Sequence, residues 1–86
     1  MTMQDVNAKL AAEFPKEMDS AVEYHSAALA AKSAGKEMEY VYLCKIAQDE
    51  MTHAKFIHDY MNENGLQIPP DQAQRYKDLE AAHNFR

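Results

Sequence analysis

Glu50-Met51-Thr52-His53 sets a carboxylate and an imidazole three residues apart, which makes them neighbours on one helix surface. Glu17 stands upstream, on what the pattern reads as the preceding helix. A Glu on one helix facing a Glu-x-x-His on the next is half of a carboxylate-bridged dinuclear metal site, whose complete form takes two such helix pairs. These residues also interrupt otherwise apolar stripes. Burying an isolated carboxylate costs several kcal/mol unless it is paired or coordinated. Two carboxylates and an imidazole converging in one place are awkward without a cation and natural with one. Mixed carboxylate and imidazole ligation suits iron or manganese, and zinc less exclusively. The expected ligands are Glu17, Glu50 and His53. The chain has room for one half-site, so the whole site is expected at the interface of a homodimer.

The motif alone is not specific, because short motifs recur by chance. A second copy, Glu80-Ala81-Ala82-His83, lies in a polar tail and reads as a solvated helix face. His58 follows His53 by five residues, about 140° around the helix, which points it to the surface. His25 adjoins Tyr24 off the stripe, and Glu23 is expected to face water. Glu13, four residues before Glu17, could approach the site. The hydroxyl of Tyr24 should seek a buried partner, and a ligand carboxylate is the obvious one. Cys44 flanks an apolar stripe and reads as a small core residue. No nucleophile triad, glycine-rich phosphate loop or redox cysteine pair is present.

The elements that must position these side chains are helical. Thr2 followed by Asp5 resembles an N-cap, and Val6, Leu10 and Phe14 recur at four-residue spacing. Pro15 removes a backbone donor and pushes Phe14 away from helical geometry, so a kink or break is expected there. The first main helix is expected over 15–34, with Glu17, Ala21, Tyr24, Ala28 and Ala31 facing inward. Gly35 suits a left-handed cap in a short turn, which forces the next helix to run back antiparallel. That helix is expected over 36–64, with Leu43, Ile46, Ala47, Glu50, His53, Ala54, Ile57 and Met61 on one face. Asn64-Gly65 ends it, and Pro69-Pro70 prevents resumption. A shorter polar helix over 71–83 has Tyr76 and Leu79 as its few apolar anchors. The whole reads as one domain over 1–86.

Composition supports a thin helical core. The chain of 86 residues holds 14 alanines, while Leu, Ile, Val and Phe together number only 14. That share is below the ~20% at which a stable core comes into question. Alanine is the strongest helix former, and there are only two glycines and three prolines. A chain of this size is marginal without metal, disulfide or oligomerisation. The single Cys44 excludes an internal disulfide. A net charge of −5 argues against a nucleic-acid surface. No apolar run reaches the ~20 residues of a membrane span, and no secretory signal is visible. The expected location is cytoplasmic.

The segment Ala47-Gln48-Asp49-Glu50-Met51-Thr52-His53-Ala54, continuing to Asp59-Tyr60 and Gly65, resembles the second helix of bacterial non-haem ferritins. Those carry Ala-Gln-Glu-Glu-Met-Thr-His, then Asp-Tyr and a Gly at the same offsets. Glu17, Ser20 and Tyr24 fall where that family has its first-helix ligand Glu, a small residue and a ligand-supporting Tyr. The likeness covers about residues 15–68. It implies a four-helix bundle, a di-iron centre, and oxidation of Fe(II) by dioxygen or peroxide, with Tyr24 orienting a ligand. It also makes Asp49 a candidate accessory metal ligand.

Ferritins continue with two further long helices that furnish the remaining ligands. Here a second copy would supply them, giving four Glu and two His, a set more like bacterioferritin, rubrerythrin or the short encapsulin-associated ferritins. No encapsulin-targeting peptide is recognised in Glu80-Ala81-Ala82-His83-Asn84-Phe85-Arg86. The expectation is therefore an all-α, ferritin-like antiparallel hairpin with a short third helix, acting as a homodimer or a multiple of it. The expected function is a ferroxidase with two irons per dimer, manganese or zinc being substitutes. A rubrerythrin-like oxidase or peroxidase is the alternative enzyme, and a metal-free helical interaction module is the alternative from another class.

Overall fold

The computed structural model describes residues 1–83. These form three α-helices, α1 (Met3–Ser33), α2 (Glu37–Glu63) and α3 (Pro70–His83), and no strand occurs among the described residues. The termini of α1 and α2 follow from local chemistry. Thr2 Oγ1 accepts the Asp5 N–H at 3.1 Å, and the Asp5 carboxylate accepts the Thr2 N–H at 3.0 Å, closing a capping box. Bonding to Thr2 holds the Asp5 carboxyl below the usual carboxylate range. At the other end of α1, the Lys36 N–H reaches back to the Ala31 carbonyl and the Gly35 N–H to that of Lys32. This pair of bonds needs a left-handed residue, which Gly35 supplies at φ +75°. The same device ends α2, where Gly65 has φ +67° and the Leu66 N–H bonds the Met61 carbonyl. Pro70 begins α3, where a missing N–H costs nothing.

The break expected at Pro15 does not occur. α1 is helical throughout, with Pro15 inside it. An interior proline costs roughly 3 kcal/mol. Packing offsets this: Phe14 is fully buried, its ring 5.8 Å from that of Tyr76 and 6.1 Å from that of His58. Burying one large apolar side chain contributes about 1.5–3 kcal/mol, and keeping α1 continuous preserves that contact.

α1 and α2 pack as an antiparallel hairpin about 47 Å long. Tyr60 donates to Asn7 Oδ1 at 2.7 Å near one end, and Glu17 meets His53 further along. The buried row is Phe14, Met18, Ala21 and Ala28 on α1, against Ala47, Met51, Ala54, Ile57 and Met61 on α2. Alanines at the crossing let the two helices approach closely. The expected inward faces need rotating. Met18 and Met51 are in the core, whereas Tyr24 and Ile46 are exposed.

The rotation has a cause. α3 docks on the Met18 and Met51 side through Tyr76, which is 3% exposed, with Leu79, Leu66 and Ile68 packed around it. The Tyr76 ring lies flat on His58, 4.2 Å between centroids and 13° between planes. Arg75 ties α3 to Asp19 at 2.6 Å. His58, expected at the surface, is thus half-buried beneath α3. No helix among the described residues is long and apolar enough to cross a membrane.

Candidate metal centre

With α1 and α2 antiparallel, Glu17 and the Glu50–His53 pair come level and turn to the same side of the hairpin. His53 Nδ1 lies 3.4 Å from Glu17 Oε2 and 3.5 Å from Glu50 Oε1. One ligand atom from each residue lies within 4.8 Å of the other two, the only such group of Glu, Asp, His or Cys among the described residues. Bonds of about 2.0–2.2 Å to one cation place its ligand atoms at most about 4.4 Å apart. Only a small closure separates this arrangement from a coordination sphere.

The electrostatics point the same way. Glu17 Oε2 is buried and has no hydrogen bond, because His53 sits at contact distance without hydrogen-bond geometry. No other buried side-chain oxygen or nitrogen among the described residues is left so. Leaving a charged acceptor unsatisfied costs at least the ~1–3 kcal/mol of a neutral group. Burial, and secondarily the Glu50 charge, push the Glu17 carboxyl above the usual carboxylate range, while His53 pulls it back in part. A cation between Glu17, Glu50 and His53 would satisfy the orphaned oxygen and remove the repulsion together. The donor set fits a metal of the iron, manganese or zinc type.

Met18 and Met51, each adjacent in sequence to a candidate ligand, are fully or almost fully buried in the core cluster. Nothing in a single sequence told them from the chain's other four methionines.

The remaining candidates lie elsewhere. Tyr24 is 39% exposed, and no hydrogen bond joins it to Glu17, Glu50 or His53. Asp49 is more than half exposed and pairs with Lys45 at 3.6 Å, outside the group. Glu13 sits between Lys9 and Lys16 at 3.7 and 3.8 Å. His25 is not a member, and Cys44 is a half-buried free thiol. In the second Glu-x-x-His copy, Glu80 is not simply solvated. It is half-buried and accepts the Tyr76 hydroxyl at 3.2 Å. This bond within α3 could have been suspected from the four-residue spacing of Tyr76 and Glu80. Asn84, Phe85 and Arg86, part of the segment read for a targeting peptide, lie outside the described residues.

No protein-family model, curated protein or solved structure gave a match to this chain.

Proposed function

We propose that this chain is one half of a carboxylate-bridged di-iron ferroxidase, completed by a second copy, and that it oxidises Fe(II) with dioxygen or peroxide. One observation carries the reading: Glu17, Glu50 and His53 converge on the open side of the hairpin, and Glu17 Oε2 is buried there without a partner. Three side chains are too few for two metals. Two copies bring four carboxylates and two imidazoles, and four negative charges balance two divalent cations.

A bound Fe(II) pair would supply two electrons, one per iron, to the dioxygen or peroxide that is reduced. The chain's own contribution is placement. Glu17 and Glu50 would hold the metal through oxygen donors, and His53 through Nδ1 on the exposed side of the group. In the assembled dimer, Tyr24 orients a ligand from outside the coordination sphere. The resemblance to ferritins supports iron over manganese, and a cytoplasm that holds Fe(II) is the compartment this reading supposes.

The test compares the two motif copies after anaerobic loading with Fe(II). His53→Ala should abolish tight iron binding and slow Fe(II) oxidation, while His83→Ala should do neither. Loss of iron from the His83 variant with His53 intact would move the site to α3. Tight binding that survives both changes would remove the proposed centre.

A further inference from the structure

The open face carries more than the three ligands. On α2, Tyr42, Ile46, Asp49, His53, Phe56 and Tyr60 follow at alternating four- and three-residue spacing. They form a seam beside the buried row through Ala47, Ala54 and Met61. Tyr42 is 62% exposed, Phe56 65% and Ile46 38%. On α1, Glu17, Ser20, Tyr24, Ala27 and Ala31 keep the same rhythm, with small side chains on either side of Tyr24.

A helix in a two-helix hairpin has one neighbour and needs one apolar stripe. A helix in a four-helix bundle meets two neighbours and needs a wider arc. α2 has the wider arc, and the chain does not fill it. Its third helix is held on the opposite side by the Tyr76–His58 stack and the Arg75–Asp19 pair.

We infer that a second copy of this chain covers the open face, packing Tyr24, Tyr42, Ile46 and Phe56 around Glu17, Glu50 and His53. This rests on the proposed pairing of two half-sites and adds the surface by which they pair. The α2 seam spans about 27 Å, and two helices side by side are about 20 Å wide. A face of that size offers several hundred Å², the scale of a standard interface at ~800 Å² per partner. Two-fold pairing sets identical patches against each other, so the ligand group at the middle of one copy's face meets its twin.

Sedimentation equilibrium on the full chain, with and without Mn(II), tests this. The wild type should be a dimer or a multiple of one. Ile46→Glu and Tyr42→Glu should each weaken self-association by at least ~100-fold, because each dimer would bury two unpaired charges. Circular dichroism should show their helix content unchanged. Leu29→Glu alters a comparably exposed side chain on α1, away from the seam, and should leave the dimer intact. Dimers that survive Ile46→Glu and Tyr42→Glu, or that fail equally with Leu29→Glu, would overturn the surface, even if one metal per chain still binds. Dimers that fail with Ile46→Glu and Tyr42→Glu but never bind metal would uphold the surface and remove the ferroxidase reading. A wild type that stays monomeric with Mn(II) would overturn both.

Discussion

The two sides of the hairpin are finished differently. On the side that α3 covers, Tyr76 lies on His58, and the neighbouring polar groups are paired. Lys55 reaches Asp59 at 2.8 Å, His58 Nδ1 lies 3.1 Å from the other Asp59 oxygen, and Tyr76 donates to Glu80. These bonds hold the Asp59 carboxyl below its usual range. Burial and the Glu80 charge raise the Tyr76 phenol well above its ordinary value, so it stays a neutral donor. On the other side, Glu17 Oε2 has no partner, and Tyr24, Tyr42, Ile46 and Phe56 meet water. The covered side is complete within one chain. The open side keeps an unsatisfied carboxylate oxygen and exposed apolar side chains, which the proposed cation and second copy would cover.

The largest effect that would break this comparison lies on the covered side. Tyr76→Ala removes the one fully docked aromatic of α3 and should cost about 3–5 kcal/mol. A domain of this size loses about 4–8 °C in Tm per kcal/mol, so thermal melts should show a large drop. Tyr24→Ala, on the open side, should cost less than ~1 kcal/mol in the monomer. Equal losses from Tyr76→Ala and Tyr24→Ala in a monomeric background would mean that the two sides are not different in kind.

Metal should act on the open side alone. Bound only by the folded dimer, it should add about 2.7 kcal/mol of stability at 100 times its dissociation constant. Melts with and without Fe(II) under anaerobic conditions, or with Mn(II) in air, should show this rise in the wild type. Glu17→Ala and Glu50→Ala should blunt it, while an α3 variant such as Glu80→Gln should keep it.

A smaller effect concerns pH in the metal-free protein. Glu17 binds its proton more tightly in the folded state than in the unfolded chain, mainly because it is buried. Its contribution to stability is therefore present below the ordinary carboxylate pKa and is lost as pH rises through the raised value. Asp5 and Asp59, whose carboxyls are lowered, work in the opposite direction. The comparison that isolates Glu17 is with Glu17→Gln. The stability difference between wild type and variant should move in the variant's favour as pH rises from about 4 to 7. A pH-independent difference would mean that Glu17 is not held in a desolvated place. The smallest effect is that of Tyr24→Phe, within ~0.5 kcal/mol in the monomer, where its hydroxyl bonds none of the three ligands. In the loaded dimer the same change should slow Fe(II) oxidation, read by stopped-flow absorbance.

Much of this was legible in the residues. Gly35 and Gly65 mark the ends of α1 and α2, Thr2 and Asp5 mark the start of α1, and three- and four-residue spacing levels Glu17 with Glu50 and His53. What the pattern could not decide was which of two adjacent stripes turns inward. On α1 the row through Glu17, Ala21 and Tyr24 lies beside the row through Phe14, Met18 and Ala21, and both fit a helical period. The choice is made by α3, whose Tyr76 closes over the second row from more than 50 residues away. The same long-range contact packs against Phe14, next to Pro15, and covers His58. Local rules for proline and for an off-stripe histidine had no access to it.

The central claim is that Glu17, Glu50 and His53 are half of a metal site that a second copy completes. Native mass spectrometry of the full chain, titrated with Mn(II) or with Fe(II) under anaerobic conditions, tests it most directly. The predicted spectrum is a dimer that takes up two metals, one per chain, and His53→Ala loses both. A monomer holding two metals, or a dimer whose metal content is unchanged by His53→Ala, would contradict it.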